Sequence, residues 1–294
     1  MIFEMAVADA YAIPFEFVKD PQFPNDLKTY HQHPKYDLKP SQYTDDTMRS
    51  MAVARWIIRG HIHDPVNFIS HLQAEYGKDP SRQGWSRGFQ KLLEENYRDY
   101  PQYFMDKIHF RKASNGSIMG VAPCGYLHSI PEVKTAAMMQ AISTHSWETV
   151  PYAQALALAA HYFIHDLGAK EDVFEFTHEH VDGQHPSDHG IFLASIVGPV
   201  NMTAKDTSFA VMNLIYKNDK LSDILRKAVD LGGDTDSVAA LAVGIGSCCK
   251  EIENDLPKEL CRGLEFSHGP TQGWLKALDE SLLKMKKDDD AYSA

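Results

Sequence analysis

Two short acidic motifs carry most of the chemical potential of this sequence. Thr44-Asp45-Asp46-Thr47 and Gly232-Gly233-Asp234-Thr235-Asp236-Ser237 each set hydroxyls and two carboxylates in front of a helical pattern. Helix capping accounts for part of this, because an acid there gains roughly 0.3–1 kcal/mol from the helix dipole. A cap uses one side-chain oxygen and leaves the second carboxylate spare. Hard cations such as Mg²⁺, Mn²⁺ and Ca²⁺ take oxygen ligands almost exclusively. Gly232-Gly233 frees the backbone for a tight turn ahead of Asp234. If the two helix mouths face one another, Asp45, Asp46, Asp234 and Asp236 form a four-carboxylate cage. Without cations such a cage is strongly repulsive. It suits two divalent ions roughly 4 Å apart, as in two-metal hydrolases.

Other residues carry weaker signals. Asn115-Gly116-Ser117 opens a helical stretch over Ile118–Leu127. Backbone N–H groups at such a start bind anions, although Asn-Gly also reads as an ordinary turn. From spacing alone Glu16, after Pro14, reads as an exposed or salt-bridged acid. His145 reads equally as a substrate contact or as a buried, satisfied histidine. His31-Gln32-His33, His61-Ile62-His63 and His178-Glu179-His180 lack the i, i+4 spacing of a helical zinc site and have no Cys partner at zinc-finger spacing. Gly84-Trp85-Ser86-Arg87-Gly88 matches a nucleophile elbow in letters, but no strand pattern precedes it.

The elements that must position these groups are helical. Met48, Met51, Ala52 and Trp56 follow helical spacing, and Tyr152–Ile164 is rich in Ala and Leu. Val238–Cys249 is small and apolar on nearly every face, which predicts a central buried helix. Further patterns cover Pro65–Tyr76, Trp85–Tyr97, Glu132–Ile142, Asp172–Val181, His189–Val197, Lys205–Ile215, Ser222–Asp230 and Gln272–Lys286. Alternating β-branched runs are nearly absent. The pattern predicts one all-α domain of about a dozen helices over residues 1–286, with a frayed tail over 287–294. Lys19–Tyr43 and Tyr97–Gly116 are long irregular connections, a class often used for binding.

Composition limits the partners. The 294-residue chain carries 29 Lys+Arg and 40 Asp+Glu, a formal charge of −11. Such a surface repels phosphate backbones and argues against general nucleic-acid binding. No apolar run approaches the ~20 residues of a membrane span. Cys124, Cys248, Cys249 and Cys261 form no CxxC pair and read as reduced thiols of a cytoplasmic protein.

Taken together, five segments resemble the ADP-ribosylglycohydrolase family in order. They are Ala8-Asp9-Ala10 running on to Pro14-Phe15-Glu16-Phe17, then Thr44-Asp45-Asp46-Thr47, Ser114-Asn115-Gly116-Ser117-Ile118-Met119, Thr144-His145-Ser146, and Gly233-Asp234-Thr235-Asp236-Ser237. The resemblance implies an all-α fold and two Mg²⁺ or Mn²⁺ ions held by Thr44, Asp45, Asp46, Asp234, Asp236 and Ser237. It implies cleavage at the distal ribose C1″ of an ADP-ribosyl group, with Glu16 and Asp45 as catalytic acids. Asn115, Gly116, Ser117 and His145 would bind substrate, the loop taking the diphosphate. Asp9 would be structural rather than a direct ligand. The expected partner is an ADP-ribosylated protein, arginine-linked first, or an ADP-ribosyl small molecule. Gly120 stands where the family commonly has Arg, Ala8 where it has Gly, and Ser237 where it has Thr. With the chain beginning close to Asp9, a short first helix is expected. A non-catalytic, crystallin-like or ADP-ribose-binding protein is the alternative, and diphosphate cleavage by a two-metal phosphohydrolase is a third reading.

Overall fold

A computed structural model describes residues 1–94, 113–182, 198–265 and 271–293. Among them are twelve α-helices and no strand, as the pattern of apolar residues predicts. The helices are α1 (Ile2–Ala12), α2 (Asp45–Ile58), α3 (Pro65–Tyr76), α4 (Arg87–Glu94), α5 (Ile130–Thr144) and α6 (Val150–Ile164). They continue with α7 (Val173–His180), α8 (Ala204–Lys217), α9 (Leu221–Leu231), α10 (Thr235–Gly246), α11 (Lys258–Gly263) and α12 (Thr271–Ser293). The expected helix at His189–Val197 and the end of Trp85–Tyr97 lie outside the described residues.

Helix α10 is buried on every side, as its small apolar residues require. It packs against α1, α8 and α9, and α2 lies beside α3 and α12. Helix α10 stops at Gly246, three residues before the predicted end, because Gly244 and Gly246 weaken its last turn. Helix α1 is not short: it runs for 11 residues, nine of them buried. All-round burial leaves no amphipathic period to read, so its sequence gave little helical signal. Ile118–Leu127 is not a regular helix. It holds a 3₁₀ turn at Ala122–Tyr126, where Pro123 has no N–H to donate and Gly120 and Gly125 weaken a helix. Helix α12 continues through Ser293, past the predicted start of fraying, since residues 287–293 contain neither Gly nor Pro. Lys19–Tyr43 is irregular throughout, as its prolines predict. The four cysteines form no disulfide. No described helix is long and apolar enough to cross a membrane.

Candidate active site

The site begins with the helix mouth at α2. Thr44 is the N-cap residue, and Asp45 and Asp46 form the first turn, where the helix dipole favours negative charge. Asp9, on α1, locks this turn. Its Oδ2 accepts from Thr44 N (2.9 Å), Thr47 N (3.2 Å) and Thr47 Oγ1 (2.6 Å), and its Oδ1 accepts from Thr44 Oγ1 (2.9 Å). Asp9 is fully buried and absent from the cavity lining, so its placement is that of a support.

A second support comes from the loop before α4. Arg82 donates to Tyr43 O (2.8 Å) and pairs with Glu265 at 2.5 Å, and its guanidinium lies 3.9 Å from the Tyr43 ring centroid. Two residues on, Gly84 presses against the acids. It holds φ +110°, and a Cβ there would lie 2.2 Å from Asp45 Oδ1. Only glycine fits this approach.

The second helix mouth, at α10, is built by backbone pairing. Gly232 and Gly233 take φ of +69° and +81°, as the glycine pair predicts. Val200 N donates to Gly232 O (3.0 Å), and Asp234 N donates to Val200 O (3.1 Å). A Cβ on Gly233 would strike Val200 O at 2.1 Å. Phe17 N donates to Gly233 O (2.9 Å), which anchors Glu16 beside Asp234. On the opposite side Asn115 Nδ2 donates to Asp234 Oδ2 (2.6 Å) and to Thr207 Oγ1 (3.3 Å). Asn115 therefore orients a carboxylate.

The two mouths open on one cavity of about 870 Å³. Its lining includes Glu16, Asp45, Asp46, Asp234, Asp236 and Ser237. Carboxylate oxygens of Glu16, Asp234 and Asp236 lie within 4.8 Å of one another. Burial, then the charges of Asp234, Asp45 and Asp9, pushes Glu16 up to about 8. Burial raises Asp45 to about 7 against the pull of Arg49. Asp46 and Asp236 stand well above the usual carboxylate range, first through burial and then through neighbouring acids. Asp46 Oδ1, Asp236 Oδ1 and Ser237 Oγ are buried with no hydrogen-bond partner among the described residues. Buried polar oxygens without partners are costly, and a cluster of them is the donor set a hard cation satisfies. The residues present thus fit divalent ions.

Asn115, Gly116 and His145 also line the cavity, whereas Thr44 and Ser117 do not. The Thr44 hydroxyl is taken up by Asp9 of α1, and Ser117 Oγ donates within its own turn to Ser114 O (2.9 Å). His145 Nδ1 lies 2.6 Å from Thr144 Oγ1. Burial and the nearby Arg49 charge lower His145 to about 3, so its ring is neutral at pH 7.

Several lining residues escaped the sequence reading: Phe17, Tyr36, Arg49, Trp85, Phe89 and Met202. Arg49 alone had a local signal. It follows Asp45 by four residues, which puts both on one helix face. Position 120 is also explained. A Cβ there would lie 3.0 Å from Arg49 C and O, so the turn packs directly on the α2 backbone.

An all-helical fold with acids from two helix mouths around one cavity defines a carboxylate-lined class of site suited to divalent cations. The ADP-ribosylglycohydrolase family model matches residues 5–291. The chain belongs to the ADP-ribosylglycohydrolase family. It is 24% identical over 308 residues to the ADP-ribosyl-[dinitrogen reductase] glycohydrolase of Rhodospirillum rubrum, covering 99% of this chain and 93% of that protein. It is 25% identical over 231 residues to the ADP-ribosylhydrolase ARH3 of Gallus gallus, covering 74% of this chain and 60% of that one. In fold it matches a solved ADP-ribosylglycohydrolase-related protein complex with a TM-score of 0.73 at 22% identity, covering 97% of this chain and 96% of the other.

Proposed function

We propose that the chain hydrolyses the glycosidic bond at the distal ribose C1″ of an ADP-ribosyl group, with two Mg²⁺ or Mn²⁺ ions bound. Modified protein side chains are the intended substrates, arginine-linked first. Family membership supports hydrolysis of ADP-ribosyl linkages. The observation that carries the reading is the convergence of Glu16, Asp45, Asp46, Asp234 and Asp236 on one cavity, with three buried oxygens left unpartnered.

Asp45, Asp46, Asp234, Asp236 and Ser237 would hold the ions, with Glu16 close enough to Asp234 and Asp236 to share one. Bound divalent ions supply charge stabilisation, orient hydroxyl groups and make a water more acidic. In the overall reaction water oxygen bonds to C1″, and the C1″–acceptor bond breaks with its electron pair leaving on the acceptor, which takes up a proton. Glu16 is the group placed to carry that proton. It is half-buried at the cavity wall, and its carboxyl lines the same cavity as the acids that would hold the ions. Asn115 keeps the Asp234 carboxylate in place by its 2.6 Å hydrogen bond. Neutral His145, backed by Thr144, offers one ring nitrogen to substrate without adding charge.

The test is release of ADP-ribose from ADP-ribosylated protein in Mg²⁺ or Mn²⁺, with Asp45→Ala and Asp236→Ala alongside. The reading expects turnover by the natural chain and at least a hundredfold loss in both variants. Equal activity in all three overturns the site. AMP as product would assign diphosphate cleavage instead, and tight ADP-ribose binding without turnover would assign a binding protein.

A further inference from the structure

An ADP-ribosyl group brings about two negative charges on its diphosphate into a cavity walled by five carboxylic acids. The anion needs a fixed cation with donors to spare beside the acid cluster. Arg49 and Arg87 line the cavity, and of these only Arg49 is buried, at 4% exposure. Its guanidinium is held from several directions. Nη1 donates to Gly116 O at 3.0 Å. The group lies 4.5 Å from the Phe89 ring centroid and 5.2 Å from that of Trp85. Those two rings are stacked, 5.8 Å apart and 15° from parallel. The aromatic pair attracts the guanidinium through the ring faces without using any of its N–H donors. Nε stands 3.8 Å from Asp45 Oδ2, beyond hydrogen-bond reach. Nε is buried without a hydrogen-bond partner, and Gly116 O is the one acceptor the guanidinium meets among the described residues, so most of the donor fork is unspent.

Gly116 lets the loop pack closely against the imidazole beside that fork. A Cβ there would lie 2.7 Å from His145 Nε2 and 3.7 Å from Arg49 Nη2. No side chain can therefore stand between the guanidinium and the neutral imidazole. The Gly116 carbonyl, by accepting from Arg49, fixes the loop and the cation relative to each other.

Resting on the ADP-ribosyl reading above, we propose that Arg49 is the diphosphate-binding residue of this cavity. Its stacked guanidinium donates from Nη2 to a phosphate oxygen beside Gly116. A rigid, aromatic-backed fork matches phosphate geometry better than a lysine ammonium.

The experiment measures ADP-ribose affinity of the Mg²⁺-loaded protein by calorimetry, for the natural chain, Arg49→Lys and Arg49→Met. Mn²⁺ affinity and thermal unfolding are measured on the same three proteins. The proposal expects ADP-ribose binding to weaken about 30-fold in Arg49→Met, the scale of a lost charge-assisted hydrogen bond, and about 5-fold in Arg49→Lys. It expects the natural chain's affinity to fall as NaCl rises from about 50 to 300 mM, and Arg49→Met to lose most of that dependence. Mn²⁺ affinity should not fall in Arg49→Met, since removing a positive charge 3.8 Å from Asp45 relieves repulsion of a bound cation. ADP-ribose affinity unchanged in Arg49→Met overturns the proposal. So does a parallel loss of Mn²⁺ affinity, which would assign Arg49 to holding the acid cluster in shape. A natural chain that binds Mn²⁺ but no ADP-ribose overturns the ADP-ribosyl reading itself, a distinct result.

Discussion

Replacing Asp9 by alanine removes the one side chain that satisfies the start of α2 from beneath. Four hydrogen bonds end on its two oxygens, from Thr44 N, Thr44 Oγ1, Thr47 N and Thr47 Oγ1. The two hydroxyls can rotate to other acceptors, and Thr44 Oγ1 already lies 3.4 Å from Asp46 Oδ2. The two backbone N–H groups cannot, and each costs roughly 1–3 kcal/mol when buried without a partner. The expected loss in Asp9→Ala is about 4 kcal/mol. At about 2–4 °C per kcal/mol for a large domain, that lowers Tm by roughly 12 °C. Asp9→Asn is a different perturbation. Its carbonyl oxygen can take the place of Oδ2 and keep both N–H bonds. Its amide then faces Thr44 Oγ1, which can accept and pass its own proton to Asp46 Oδ2. That variant should lose about 1 kcal/mol, the net worth of one hydrogen bond. The assay is urea unfolding, read as a change in midpoint at constant slope. An Asp9→Ala loss below about 1 kcal/mol, or equal losses in the two variants, refutes the argument that Asp9 works as an acceptor for backbone donors.

Other outcomes follow from the same geometry. Gly84→Ala should unfold at least ~2 kcal/mol more easily and bind Mn²⁺ more weakly, because its Cβ strikes Asp45 Oδ1 in a left-handed backbone. Urea unfolding and Mn²⁺ titration check both, and an unaltered protein contradicts the close approach. Glu265→Gln removes the buried ion partner of Arg82, 4% exposed, but leaves Asp79 3.1 Å from its Nη2, so the expected loss is about 1–3 kcal/mol. Thermal unfolding of this variant should show the largest loss at neutral pH. For the metal-free protein the sign of the pH dependence is set by raised carboxyls. Glu16 stands at about 8 against 4.5, and Asp45 at about 7 against 3.8. The folded chain therefore holds protons that the unfolded chain releases between about pH 4 and 8, and stability falls as pH rises through that window. Unfolding at pH 5 and 8 with chelator should show this fall, and excess Mg²⁺ or Mn²⁺ should reverse it by about 3 kcal/mol at a hundred times its Kd. A chelated protein equally stable at both pH values counts against the carboxylate cluster.

Much of the fold was legible because helical periodicity needs only one amphipathic face. Helix α3 matches its sequence pattern at both ends, from Pro65 to Tyr76, since Asp64 caps it and Gly77 follows it. The elements that were missed or misjudged lack such a signal. Helix α1 is apolar on all sides, and Ile118–Leu127 is broken by Pro123 and two glycines. In the site, the acids were legible because carboxylates at helix mouths stand out from any core pattern. Asp9 was legible only as a structural residue, and the structure adds what it supports. Trp85, Phe89, Tyr36 and Met202 were not legible, because a lone aromatic or Met in sequence reads as core.

The sequence by itself determined the helical class, the tight turn at Gly232-Gly233 and the two pairs of carboxylates at helix starts. These are local properties, set by side-chain type, backbone freedom and spacing. Only the tertiary structure decided that the two mouths share a cavity, that Asn115 orients Asp234, and that Thr44 turns to Asp9 instead of lining the cavity. It also decided that the buried cation of the cavity is Arg49, with Gly120 pressed against its backbone. Each of these depends on contacts between residues far apart in the chain, which packing of α1, α2 and α10 selects and which no local pattern contains.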